Sequence, residues 1–146
     1  IAHPADRFTV GQGILAVVKE IDFDLRRISL SHKELLGTWE ENAALFTPGQ
    51  TVSGIIRSVE SYGTFIELTP NLAGLAEPSE TLTQGHTAAV YIKNIIPEKM
   101  KVKLSVIDAS PEKAVPAPFH YFITGGHIDR WQYSPDQCSR RIESVF

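Results

Sequence analysis

The stretch TVSGIIRSVESYGTFIELTPNLAGLA, residues 51–76, reads as three short strands in a row. Residues 51–60 are rich in β-formers around an embedded Gly54, residues 63–68 alternate in the strand period, and residues 72–76 form a short apolar run. Downstream, residues 87–96 and 101–107 add two more strand candidates. Five short strands broken by Gly and Pro turns predict a small closed barrel. Successive strand side chains point to opposite faces, which sorts these residues into two sets. Val52, Gly54, Ile56, Ile66, Leu68, Val90, Ile92, Val102 and Leu104 fall on the core side. Ser53, Arg57, Phe65, Glu67, Tyr91, Lys93, Lys101 and Lys103 fall on the other, with Tyr62 at the corner before Gly63.

The last two strands of this set occur twice. QGHTAAVYIKNIIPEKMKVKLS (84–105) and VGQGILAVVKEIDFDLRRISLS (10–31) align without a gap at an offset of 74 residues. Gly11 meets Gly85, Lys19 meets Lys93, Arg27 meets Lys101, and Leu30-Ser31 meets Leu104-Ser105. Such self-similarity marks an internal repeat. Residues 1–31 therefore read as the last two strands of a second barrel copy. A lone hairpin is marginal in water, so this one needs a partner: upstream sequence, another chain, or the rest of this one.

Between the copies lies SHKELLGTWEENAALF, residues 31–46. Ser31 with Glu34, and Thr38 with Glu41, have capping-box spacing. Gly37 weakens a continuous helix, so the segment predicts two short helices or one kinked one. Leu35, Leu36, Trp39, Ala43 and Phe46 make an apolar stripe suited to packing on a barrel. Beyond residue 108, Ser110–Pro118 carries three prolines and reads as a linker. In the aromatic tail that follows, Ser134-Pro135 with Gln137 looks like a helix start, with Cys138, Ile142 and Val145 on one face. The predicted organisation is a partial repeat over 1–31, a helical linker over 32–47, a complete repeat over 48–108, and a linker and tail over 109–146.

Apolar residues make up 42% of the chain and charged residues 21%, ordinary values for a soluble globular protein. No apolar run approaches the roughly 20 residues of a membrane span, and no signal-peptide pattern opens the chain. The one cysteine, Cys138, precludes an internal disulfide framework and fits a reducing, cytoplasmic setting. Ile1 rather than Met opens the sequence, as expected of a piece of something longer. The net charge of −3 argues against a uniformly basic nucleic-acid binder; such a role needs a local basic face.

Three stretches resemble the S-one RNA-binding repeat, named for the multi-repeat protein of the bacterial small ribosomal subunit. RRISLSHKELLGTWEENAALFTPGQTVSGII resembles a repeat end, an inter-repeat linker and the next first strand. SVESYGTFIEL resembles the family's aromatic–glycine–small–phenylalanine strand, and NLAGLAEPSE its third strand and loop. The resemblance covers roughly residues 5–107 and implies a mainly β, OB-type five-stranded barrel in a tandem-repeat protein that binds single-stranded RNA or mRNA, with the small ribosomal subunit as a further partner. It places Tyr62 and Phe65 at the family's stacking positions and Lys101 at its basic strand-five position, which Arg27 holds in the partial copy. The aromatic tail lies outside the repeat and resembles the endings of shortened relatives of Gram-positive type.

The strand face gives those positions a physical use. Unpaired bases expose flat π-faces, and stacking one on Tyr or Phe is worth about 1–3 kcal/mol. Arg57, Lys93, Lys101 and Lys103 are the candidate phosphate contacts, while Tyr91 reads as structural or interfacial. Glu77 departs from the family's histidine, and a carboxylate repels phosphate. Glu60 and Glu67 point the same way, and with the negative net charge and the apolar tail Glu77 keeps open a second reading as a protein-interaction, ribosome-tethering repeat. A third is an accessory repeat cut from an RNA-processing enzyme. The histidines show no metal-ligand spacing; His120, His127 and Cys138 are too scattered for a zinc signature. Gly125-Gly126 lacks the lysine of a phosphate loop, and no nucleophile–base arrangement is legible. The chain reads as a non-enzyme without a cofactor.

Overall fold

Among the residues the computed structural model describes, 1 and 3–146, the elements run in chain order as follows. A first hairpin pairs β1 (Val17–Asp22) with β2 (Arg27–Ser31). A 3-10 turn, Lys33–Leu36, and helix α1, Trp39–Ala43, lead to the barrel strands. These are β3 (Thr51–Glu60), β4 (Gly63–Thr69), β5 (Leu72–Ala76), β6 (His86–Ile96) and β7 (Lys101–Lys113). The chain ends in a small hairpin, β8 (Arg130–Gln132) with β9 (Glu143–Val145).

The barrel closes in the order β3-β4-β5-β7-β6. All its pairings are antiparallel except the seam of β5 with β7, which is parallel and registers Leu75 with Lys103. The alternation in the sequence sets the faces. Ile56, Ile66, Val90, Ile92, Val102 and Leu104 are buried in one cluster, joined by Leu72, Ala76 and Ala88, with Val52 and Leu68 packed at its edge. Helix α1 plugs the cluster with Trp39 and Ala43. Its N-terminus is the predicted capping box: the Glu41 amide donates to Thr38 Oγ1 at 3.1 Å and the Thr38 amide to Glu41 Oε1 at 3.0 Å. The linker is two short helices, with Gly37 at φ 96° between them. Its buried Asn42 donates to the Leu36 and Thr38 carbonyls and so ties the two together.

The internal repeat is a repeat of geometry as well as of sequence. Gly11 and Gly85 both sit at φ 89°, and the two hairpins turn through left-handed residues, Arg26 and Met100, at the same repeat position. Each hairpin carries a bulge at its equivalent lysine: Val18 pairs with Leu30 and Glu20 with Ser29, as Ile92 pairs with Leu104 and Asn94 with Lys103. What differs is cover. Leu30 is 62% exposed where Leu104 is 1%, and Ile28 is 64% exposed where Val102 is 2%.

Three expectations are corrected. The Ser134–Val145 segment is not helical. Ser134 and Ile142 are drawn together instead: Ser134 Oγ accepts the Ile142 amide at 2.9 Å, the Tyr133 amide donates to the Ile142 carbonyl at 2.8 Å, and β8 pairs with β9. The strand arrangement buries Trp131 and Ser144. Next, Glu34 does not cap Ser31. It is fully buried and accepts hydrogen bonds from the hydroxyls of Ser31 and, at 2.9 Å, Ser144. Finally, the fifth strand runs to Lys113, because β6 continues to pair with it as far as His86, so the expected linker begins only after that residue.

The tail is held against the rest of the chain. The Trp39 amide donates to the Tyr133 carbonyl at 3.0 Å and the Phe122 amide to the Leu35 carbonyl at 2.9 Å. Burial pushes the Tyr133 phenol up to about 12, so it stays protonated and donates to the Asn71 carbonyl. Phe8, His32, Phe119 and Tyr121 form an aromatic cluster that joins the N-terminal segment to the tail. Burial, and next the Arg7 charge, hold His32 below its ordinary value. For Glu34, burial opposes the charged form, but hydrogen bonds from Ser31, its own backbone and Ser144, with the Lys33 charge, outweigh it and lower the pKa. Both groups bind protons more weakly folded than unfolded, so their contribution to stability is complete at neutral pH and is lost on acidification. The loss starts below about 6.5 for His32 and continues below the usual carboxylate range for Glu34. Thermal midpoints are expected to fall across that window, with NMR signals of Ser144 and Tyr121 shifting before those of Ile66.

Candidate nucleic-acid interface

One outer face of the barrel forms a groove of about 960 Å³ between the β5–β7 seam, the β6–β7 turn and the loop after β8. Tyr62 and Phe65 stand at one end. Gly63 is buried between them, where an added Cβ would come within 2.6 Å of the Leu75 side chain and 2.8 Å of the Ala76 carbonyl. The missing side chain lets the corner fold onto β5 and leaves Tyr62 65% exposed. The two rings meet edge to face, centroids 6.0 Å apart and planes at 79°. One ring braces the other, and both line the groove.

The β6 bulge places Lys93 as the extra residue between Ile92 and Asn94, which re-aims its side chain. It lines the groove, while Tyr91, two residues earlier, does not. Lys101 and Lys103 alternate with the buried Val102 and Leu104 and so both face outward. Glu77 also lines the groove. One of its oxygens accepts the Ser105 hydroxyl at 3.2 Å and the other lies 3.9 Å from Lys93 Nζ. Counting every charged residue along the groove gives five cations against two carboxylates, a local excess of three positive charges on a chain of net charge −3.

Two predicted residues stand elsewhere. Arg57 is the extra residue of the β3–β4 bulge, and it turns away to pair with Glu67 at 3.1 Å. Glu67 also holds Arg7 at 2.6 Å. This largely buried trio joins the N-terminal segment to the barrel, and its guanidinium is already committed to a carboxylate. Arg27 lies on the exposed first hairpin, outside the groove. Conversely, the groove contains Lys99 and Arg140, which the sequence reading did not single out. Lys99 was within reach, since it precedes the strand-five lysines in the same turn. Arg140 was not, because its position depends on how the tail folds back. Among the described residues, no group of three or more His, Cys, Asp or Glu side chains is placed to share a metal ion. No helix among them is long and apolar enough to cross a membrane.

A closed five-stranded barrel with an aromatic–basic groove on its strand face is the architecture of an oligonucleotide-binding module. The chain's curated homologues are bacterial small ribosomal subunit proteins bS1, of the S-one RNA-binding domain family, as the sequence resemblance implied. It is 28% identical over 128 residues to the bS1 protein of Chlamydia muridarum, covering 87% of this chain and 22% of that protein. It is 31% identical over 127 residues to bS1 of Staphylococcus aureus, covering 79% of this chain and 32% of that protein. It is 29% identical over 118 residues to the bS1 homolog of Bacillus subtilis, with 73% and 31% covered. The chain thus spans between about a fifth and a third of the length of these relatives. No family model matches it.

Proposed function

We propose that this chain is a single-stranded RNA-binding segment of a ribosomal S-one-like protein, working in the cytoplasm in mRNA binding or translation. The observation that carries the reading is the groove, which sets the Tyr62–Phe65 pair beside Lys93, Lys101 and Lys103. Splayed bases stack on the rings and phosphates run along the lysines. A duplex hides its bases from such rings. The homology to bS1 supports the same assignment.

Titration of a labelled, unstructured RNA of about twelve nucleotides into the chain tests this. Binding is expected, with affinity falling linearly on a log–log plot of salt. The slope should be about −2 to −3.5, as three to five neutralised phosphates require at roughly 0.7 each on a single strand. Affinity no better than millimolar at low salt would sink the proposal. Within the same groove, Glu77→Gln removes the carboxylate opposing phosphate and frees Lys93. It is expected to tighten binding by about three- to tenfold at low salt, and less at high salt.

The exposed apolar side chains of the first hairpin favour a second, compatible reading, a protein-contacting role for that segment. Leu30 and Ile28 are uncovered where their barrel equivalents are buried. Sedimentation that finds a strict monomer, together with no binding to small ribosomal subunits, would count against it.

A further inference from the structure

The C-terminal tail lies outside the repeat, yet it reaches the groove. Cys138, Ser139 and Arg140 line it together with Lys99 and Lys101. The loop that carries them is closed by its own hydrogen bonds. At its base the Tyr133 amide reaches the Ile142 carbonyl at 2.8 Å and the Ile142 amide reaches Ser134 Oγ at 2.9 Å. Inside it the Cys138 amide donates to the Pro135 carbonyl at 3.1 Å, and Gln132 Nε2 donates to the Ser134 carbonyl at 2.8 Å and to Asp136 at 3.1 Å. The base is in turn fixed to the linker through Tyr133 and Trp39, and through Ser144 and the buried Glu34. Arg140 is exposed at this loop and, among the described residues, forms no ion pair.

We infer that the tail loop is part of the RNA site, with Arg140 as a phosphate contact facing the lysines of the barrel. This rests on the RNA-binding reading of the groove and deepens it. A closed loop holds the Arg140 backbone in advance, so only side-chain freedom is lost when the guanidinium meets a phosphate. A guanidinium also presents a planar fork of donors that matches phosphate oxygens two at a time. The loop converts one open strand face into a channel with two walls, which suits a single strand threaded between them. Arg141, the next residue, does not line the groove and serves as the matched control.

The test uses the full chain, the same twelve-nucleotide RNA, and four proteins: wild type, Arg140→Ala, Arg140→Lys and Arg141→Ala. Arg140→Ala is expected to raise Kd by about three- to tenfold at low salt and to flatten the log–log salt slope by about 0.7, the loss of one phosphate contact. Arg140→Lys keeps the charge and should keep the slope. Arg141→Ala should match wild type. All four should melt alike, because both arginines are exposed. A second readout reports proximity directly. Cys138 is the chain's one thiol and lies in the groove beside Arg140, so saturating RNA should slow its alkylation in the wild-type protein. If wild type does not bind RNA, the reading of the groove fails and this inference fails with it. If wild type binds, but Arg140→Ala leaves Kd and slope unchanged and RNA leaves Cys138 as reactive as before, the inference alone is overturned.

Discussion

Replacing Tyr62 and Phe65 together by alanine is expected to weaken single-stranded RNA binding by about 2 kcal/mol or more, roughly thirtyfold in Kd, while leaving the salt slope unchanged. The magnitude follows from base–aromatic stacking, worth about 1–3 kcal/mol per base. The unchanged slope follows from the lysines, which neither substitution touches. The two readouts separate the roles: rings set the intercept of the salt plot, cations set its gradient. The double variant is the sharper choice because the rings brace each other at 6.0 Å, so one alone can take over part of the surface left by the other. Folding is a modest risk at Tyr62, which is mostly exposed. Phe65 is partly buried beside Leu75, its partner on β5, so the melting curve must be recorded alongside. A variant that melts near wild type and binds RNA equally well would remove the rings from the site.

The barrel was legible in the sequence because its information is local. Alternation over residues 51–68 and 87–107 needs only the strand period, and it named the residues that pack as the core. Lys101, Lys103 and Phe65 were legible as outward-facing for the same reason, since residues that alternate with buried ones point away from the core, whereas Tyr62 was read as the corner before Gly63, and Lys93 reaches the groove through a bulge that alternation does not contain. Arg57 shows where that logic stops. Alternation gives a direction but not a partner, and Arg57 is spent on Glu67, which also holds an arginine 60 residues earlier in the chain. The tail was misread for a related reason. Ser134, Pro135 and Gln137 carry genuine helix-start chemistry, but the fold there is decided by contacts such as Ser144 with Glu34, 110 residues apart, which no local window contains. Arg140 inherits its place in the groove from those same contacts.

Gly74→Val is expected to damage the barrel severely, lowering stability by about 3 kcal/mol and the thermal midpoint by more than roughly 10 °C. Gly74 sits on β5 where the barrel closes against β7. A Cβ built there would lie 2.5 Å from Leu104 Cδ1, 2.7 Å from Leu104 Cγ and 2.9 Å from the Val102 carbonyl oxygen. The leucine can rotate away at the expense of the core, but the carbonyl belongs to the β7 backbone and cannot. The strands must therefore separate at the one seam that is parallel, where Leu75 registers with Lys103. Gly125→Ala, at a position with open space around it, should change stability by no more than about 0.5 kcal/mol. A Gly74→Val protein that melts like wild type would mean that the seam is looser than the structure has it. Because Lys103 is placed by this pairing and lines the groove, the variant should also bind RNA more weakly at temperatures where it is still folded. The residue that closes the barrel would then be the one that positions its cations, and fold and site could not be altered independently at this strand.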